Sequence, residues 1–210
     1  MRRILRLLTY LIYFVLFWPF ILYKTYGERK VFFDKGTIII ANHYSNLDPF
    51  LIRTLFIKKR VTFIAIESVK KNIFIRMFAW VLDCVYVNPE KINKSAIERC
   101  ISILNKGEIL CIFPEGIINT RKYGFFEFKK SYLLLAKKTK CDVLPIYVYP
   151  ENRIFKKSKL YVGKKITDSV YEQYKDIDER NMFFQSLIMT YSLELENELD
   201  NKNAKDNSNN

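Results

Sequence analysis

The stretch Thr37-Ile38-Ile39-Ile40-Ala41-Asn42-His43-Tyr44-Ser45-Asn46-Leu47-Asp48-Pro49 runs from a β-branched apolar block into polar residues and then a helix start. An uninterrupted run such as Thr37–Ala41 suits a strand covered on both faces, because neither face carries a charge to hold in water. Asp48-Pro49 suits the opening of a helix, where an acidic side chain meets free N–H groups and proline lacks none that is needed. The same strand-then-helix order recurs along the chain. Strands are expected at 61–66, 84–87, 109–113, 143–149 and 160–162, and helices at 46–56, 72–82, 93–104 and 128–138. A last amphipathic helix is expected near 178–198, with Phe184, Leu187, Ile188, Tyr191 and Leu195 on one side. The alternation predicts an α/β layered domain with a largely parallel sheet flanked by helices.

Before this domain stand 17 residues, 7–23, without a charge (LLTYLIYFVLFWPFILY), preceded by Arg2, Arg3 and Arg6. As a helix they would extend about 26 Å, close to the hydrocarbon thickness of a bilayer. Pro19 interrupts the helix near its end, and Trp18 with several tyrosines favours the headgroup boundary. No small-residue cleavage site follows, so a removed signal peptide fits poorly. Residues 1–30 therefore read as an N-terminal membrane-associated helical segment, 31–199 as the α/β domain, and 200–210 (DNKNAKDNSNN) as a disordered tail with nothing to bury.

The 210 residues carry 35 Lys+Arg and 22 Asp+Glu, a net charge of +13. Residues 171–210 hold nine acids and four bases, net −5, which leaves 31 bases and 13 acids, net +18, in the first 170. Such an excess favours a polyanionic partner. With an apolar segment beside it and no zinc finger, RNP signature or basic recognition helix, that partner reads as an anionic membrane surface and not a nucleic acid. Cys84, Cys100, Cys111 and Cys141 form no Cys-x-x-Cys pair, and three of them lie in or beside apolar runs. They read as buried thiols in the reducing cytoplasm.

One histidine, His43, excludes a multi-histidine metal site and makes any imidazole mechanism depend on that residue. It follows the first buried strand directly, at the carboxyl end where α/β sheets collect reactive groups. Asp48 lies within one turn. A carboxylate on Nδ1 fixes the imidazole tautomer and leaves Nε2 as a general base. The same Asp48 also fits a helix cap, and Ser45-x-x-Asp48 a capping box, without exclusion of the first role. A second chemistry-bearing stretch, Phe113-Pro114-Glu115-Gly116, ends another strand, with Arg121, Lys122, Lys129 and Lys130 nearby. Read alone, it is a Pro-Gly turn beside positive charge.

Together these stretches resemble the lysophosphatidate (1-acyl-sn-glycerol-3-phosphate) acyltransferase family of the glycerolipid acyltransferase superfamily. Asn42-His43 through Asp48 matches its Asn-His-four-residues-Asp motif, and Phe113-Pro114-Glu115-Gly116 the start of Phe-Pro-Glu-Gly-Thr-Arg. Phe128-Lys129-Lys130 and Val143-Leu144-Pro145-Ile146 resemble its later Phe-Lys-Lys-Gly and Val-Pro-Val/Ile blocks. The likeness covers roughly residues 37–150. It implies catalytic His43 and Asp48, and acceptor binding by Glu115, Gly116, Arg121 and Lys129. The implied reaction moves a fatty acyl group from acyl-CoA or acyl-carrier-protein, as donor substrate, to the free hydroxyl of a lysolipid acceptor, forming phosphatidate. It implies no covalent acyl-enzyme, no metal and no bound cofactor, and a place on the cytoplasmic face of the inner membrane. Three departures share a theme: Ile117-Ile118 stands where the family has Thr-Arg, Asn88-Pro89 follows the third strand in place of Asp-Arg, and the lysine often found after the second strand is missing near Ile66-Glu67. The cations left to hold an acceptor phosphate are Arg121, Lys70, Lys71 and Lys129. The alternatives are a different lysolipid acceptor, such as a lyso-amino-acid lipid, or a non-catalytic lipid-binding scaffold.

Overall fold

The computed structural model describes residues 22–88, 90–91, 93–121, 124–150 and 157–208. Strand β1 (Tyr23–Gly27) precedes β2 (Thr37–Ala41), which leads through the His43 loop into helix α1 (Asp48–Leu55). Then come β3 (Val61–Ile66), a 3-10 turn (Glu67–Lys71), α2 (Ile73–Val81), β4 (Val85–Val87), α3 (Lys94–Asn105) and β5 (Ile109–Ile112). The chain closes with α4 (Ser131–Thr139), β6 (Asp142–Val148), β7 (Ser158–Val162), the short α5 (Asp168–Tyr171) and the long α6 (Ile177–Ser208).

These strands form one seven-stranded sheet in the order β1-β7-β6-β2-β5-β3-β4. Every pairing is parallel except β6 with β7. The expected layered α/β domain is present. Strand β2 lies centrally, with Ile39 opposite Cys111 of β5 and Leu144 of β6. Its residues show why the run carries no polar alternation. Ile38 and Ile40 enter one core with Cys100 of α3, Tyr132 and Ala136 of α4, and Phe184, Ile188 and Leu195 of α6. Ile39 and Ala41 enter the other with Phe50, Leu51 and Ile52 of α1 and Ala79 of α2. Each face is roofed by helices, so each side chain of the period-two strand is buried.

Three differences from the sequence reading stand out. Residues 23–27, assigned to the membrane segment, instead form β1, so the folded domain begins before residue 31. As an edge strand with only Tyr23 and Tyr26 half-buried, it shows no apolar run, and its partner β7 is supplied from more than 130 residues away. Residues 200–208, expected to be unordered, continue helix α6 to Ser208. No glycine or proline stops that helix, and extending a formed helix fixes one residue per hydrogen bond without a new nucleus. Sequence also gave no sign of α5. Residues 7–21 of the apolar stretch lie outside the described residues; among the described residues no helix is long and apolar enough to cross a membrane.

The antiparallel step has a consequence for the site. Because β7 reverses and β1 follows it, Tyr23 sits opposite Ser158, beside the carboxyl end of β6. The chain therefore enters the sheet at the end where β2 delivers His43.

Candidate active site

Strand β2 ends at Ala41, and the next three residues are each pinned. The Asn42 amide donates to the Val148 carbonyl at 2.8 Å and accepts from the Val148 N–H at 2.7 Å, so a buried side chain replaces the sheet ladder between β2 and β6. This fixes the backbone from which His43 projects. The His43 Nδ1 lies 3.0 Å from Asp48 Oδ2, and Asp48 is fully buried. The same oxygen accepts the Tyr44 and Ser45 N–H groups, each at 2.7 Å. Asp48 is the first residue of α1 and reaches back to the loop before it, where Ser45 Oγ accepts from the Leu47 N–H at 3.2 Å. The helix N-cap is Leu47, which makes no side-chain cap, so the expected Ser45-x-x-Asp48 capping box does not form. Loop bracing and histidine orientation are thus one arrangement. Since an ionised carboxylate only accepts, Nδ1 carries the proton and Nε2 keeps its lone pair. The Phe113 ring stacks on the imidazole, with centroids 4.1 Å apart and planes 20° from parallel, and restrains its remaining rotation.

Glu115 approaches from the neighbouring strand end but faces inward, only 3% exposed. Its Oε1 accepts the His43 N–H at 3.0 Å; its Oε2 accepts the Asn119 amide and the Phe126 N–H, each at 2.8 Å. Asn119 closes the circuit by donating its own N–H to the His43 carbonyl at 2.6 Å. Burial pushes the Glu115 carboxyl above its ordinary value, against the pull of these donors. Glu115, expected at the acceptor, has both carboxylate oxygens engaged inside the protein, where they hold the two loops together. Burial beside Glu115 also pushes the Tyr44 phenol up to about 12.

Gly116 has φ +73°, a conformation costly for any residue with a Cβ, and a Cβ there would meet Lys129 Nζ at 2.7 Å. The turn thus brings the lysine ammonium against bare backbone at the site. Gly116, Lys129 and His43 all line one cleft of about 960 Å³. Its walls are mostly apolar, including Phe63, Ile66, Phe78, Leu82, Val87 and Ile112, with Lys91 and Lys138 as further cations. Arg121 is not among the lining residues. Its guanidinium lies over the Phe126 ring, 4.1 Å from the centroid, and its side chain is exposed. The structure thus brings His43, Asp48, Gly116 and Lys129 together, turns Glu115 inward and sets Arg121 aside.

This arrangement puts one oriented imidazole at an apolar cleft with cations around it. The sequence model for acyltransferases matches residues 23–149. The chain belongs to the acyltransferase family. It is 30% identical over 121 residues to a probable 1-acyl-sn-glycerol-3-phosphate acyltransferase of Mycoplasma pneumoniae, covering 54% of this chain and 44% of that relative. To the 1-acyl-sn-glycerol-3-phosphate acyltransferase of Borreliella burgdorferi it is 28% identical, covering 64% of this chain and 54% of the relative. The chain thus spans about half the length of these two. The Bacillus subtilis 1-acyl-sn-glycerol-3-phosphate acyltransferase is 25% identical over 182 residues, with 84% of this chain and 89% of the relative covered. The crystal structure of a 1-acyl-sn-glycerophosphate acyltransferase from Thermotoga maritima shares the fold, with a TM-score of 0.65, 24% identity, and 85% of this chain and 74% of that chain covered.

The site of this acyltransferase-family chain contains three residues that sequence reasoning missed: Asn42, Phe113 and Asn119. Asn42 and Phe113 belong to the quoted motifs, but a motif does not say which side chain is a clamp. Asn119 gave no signal, since its partners at 43, 115 and 124 meet only after folding.

Proposed function

We propose that this chain is a membrane-associated O-acyltransferase that converts 1-acyl-sn-glycerol-3-phosphate to phosphatidate at the cytoplasmic face of the inner membrane. The acyl donor is an acyl-CoA or acyl-carrier-protein thioester. The observation that carries the reading is the His43–Asp48 pair, 3.0 Å apart, at an apolar cleft of about 960 Å³. His43 Nε2 takes the proton of the acceptor hydroxyl as its oxygen bonds to the thioester carbonyl carbon. The carbon–sulfur bond then breaks, the imidazolium returns the proton to the departing thiolate, and ester and free thiol leave. Asp48 stabilises the imidazolium throughout. The apolar cleft fits an acyl chain, for which each methylene removed from water contributes about 0.8 kcal/mol. Lys129 fits an acceptor phosphate beside Gly116. No step requires ATP, because the thioester already carries an activated acyl group.

A phosphate-free lysolipid is the second reading, favoured by the position of Arg121 on Phe126 and by Ile117 at the cleft wall. The deciding experiment offers purified full-length protein a labelled acyl thioester, as CoA and as carrier-protein conjugates, with a panel of lysolipids. Transfer to lysophosphatidate is expected, with at least a hundredfold loss of kcat in His43→Ala and a raised KM for that acceptor in Lys129→Ala. Transfer only to phosphate-free acceptors selects the second reading. Unchanged transfer by His43→Ala removes the proposed base, and lipid binding without transfer to any acceptor leaves a scaffold.

A further inference from the structure

Helix α2 has apolar residues on both sides. Inward, Phe78 sets its ring edge-on to Phe50 at 5.4 Å, and Ala79 is buried in the core beneath the cleft. Outward, Ile73, Met77 and Trp80 recur at one-turn spacing and are 61%, 44% and 36% exposed. An all-round apolar helix is ordinarily covered on every side, yet this face meets solvent. It stands between positive charges. Residues 67–81 contain Lys70, Lys71 and Arg76 against one acid, Glu67, and all three cations are exposed.

Position adds a second argument. Helix α2 follows the carboxyl end of β3, and β2 and β3 both run parallel to β5. The α2 entry therefore lies at the sheet end that presents His43. Ile75 of the same helix lines the cleft, and Ile117, 52% exposed, lines it from the loop after Gly116. Tyr23, where the apolar N-terminal stretch meets the domain, stands at that end too. The cleft mouth thus has apolar groups that water does not solvate well, with cations beside them and few acids.

We propose that the outward face of α2, Ile73, Met77 and Trp80, with Lys70, Lys71 and Arg76, lies against an anionic bilayer leaflet and holds the cleft mouth at the lipid headgroups. An interfacial helix with apolar side chains below and basic side chains at headgroup level has this pattern. The inference rests on the lipid-acceptor reading above and adds which surface meets the lipid. An acceptor whose acyl chain stays in the leaflet then reaches His43 without passing through water.

Trp80 reports the contact directly. The chain has two tryptophans, so Trp18→Phe in the full-length protein leaves Trp80 alone. Its emission would be measured with vesicles of phosphatidylglycerol and phosphatidylcholine, with and without bromine at shallow acyl positions. Brominated anionic vesicles are expected to remove at least half of the Trp80 emission, and Ile73→Glu/Met77→Glu to reduce that quenching at least twofold. The same double variant should keep its transfer rate on a short-chain, water-dispersed acceptor. Equal emission with brominated and plain lipid, while the protein floats with the vesicles, overturns the proposal. So does a dimer by sedimentation whose Trp80 escapes quenching, because a second copy then covers the face. Equal quenching in pure phosphatidylcholine overturns the anionic requirement. Quenching without acyl transfer to any lysolipid supports the surface and refutes the enzymatic reading, so the two failures are distinct.

Discussion

Asp48→Asn tests the site most sharply, because it changes charge with little change of shape. In the parent, one buried oxygen accepts from His43 Nδ1 and from the Tyr44 and Ser45 N–H groups at 2.7–3.0 Å. An asparagine can keep its carbonyl oxygen there, so the loop keeps its acceptor. What disappears is the negative charge beside the imidazolium that forms during transfer. At roughly 4 Å between charge centres and an effective dielectric of about 20, that attraction is about 4 kcal/mol. At about 1.4 kcal/mol per decade, and allowing for the retained hydrogen bond, kcat should fall about 10²–10³-fold. KM should change less than about threefold, since Asp48 is fully buried. The assay is steady-state transfer of labelled acyl groups to lysophosphatidate by parent, Asp48→Asn, His43→Ala and the double variant, with the melting temperature of each recorded. Because Asp48 acts through His43, the double variant should be no slower than His43→Ala alone. An Asp48→Asn enzyme with more than a third of the parental kcat, or a double variant slowed by the product of the two single effects, would refute the reasoning.

Three further outcomes follow from buried groups. Glu115→Ala leaves the His43 and Phe126 N–H groups and one Asn119 hydrogen without an acceptor, at about 1–3 kcal/mol each, so a loss of about 3 kcal/mol and a melting point lower by ~6–12 °C are expected by calorimetry at pH 7. Since the folded state raises the Glu115 carboxyl above its ordinary 4.5, the native protein binds this proton more tightly than the unfolded chain. Its stabilising effect is then largest below the unfolded value and declines as pH rises through the folded one, so the gap between parent and variant should widen from pH 7 to pH 5, and a narrowing gap would contradict the assignment. Burial pushes the Cys84 thiol from 9.0 to about 12 and Cys100 and Cys141 to about 11. At pH 8 the Cys84 thiolate is about a thousandfold rarer than in an ordinary thiol, so a disulfide reagent should label all four cysteines only after denaturation, and rapid native labelling of Cys84 would show that its surroundings open.

Much of the site could be read in the sequence because its central contacts are local. His43 and Asp48 are five positions apart, at the end of a strand and in the first turn of the helix after it. The strand was recognisable because both faces of a parallel sheet are covered, which leaves an unbroken apolar run. The motif around Glu115 was equally visible, but the direction its carboxylate takes was not. An acid beside a glycine can face a ligand or the interior, and that choice belongs to donors at 43, 119 and 126.

Sequence by itself determined the layered α/β class, the position of His43 at a strand end and the nearness of Asp48, since these follow from short-range pattern and chain geometry. Tertiary structure decided the remainder. It made residues 23–27 an edge strand by supplying β7, and it turned Glu115 inward by bringing three donors around it. It also decided which side of α2 meets solvent. That helix, Ile73–Val81, has apolar residues on every side, and Arg76 is its one charge, so its apolar pattern alone does not separate core from surface. Only the placement of Phe50 and the sheet against one side left Ile73, Met77 and Trp80 on the other. Burial is a relation between segments distant in the chain, and a segment's own residues do not contain it.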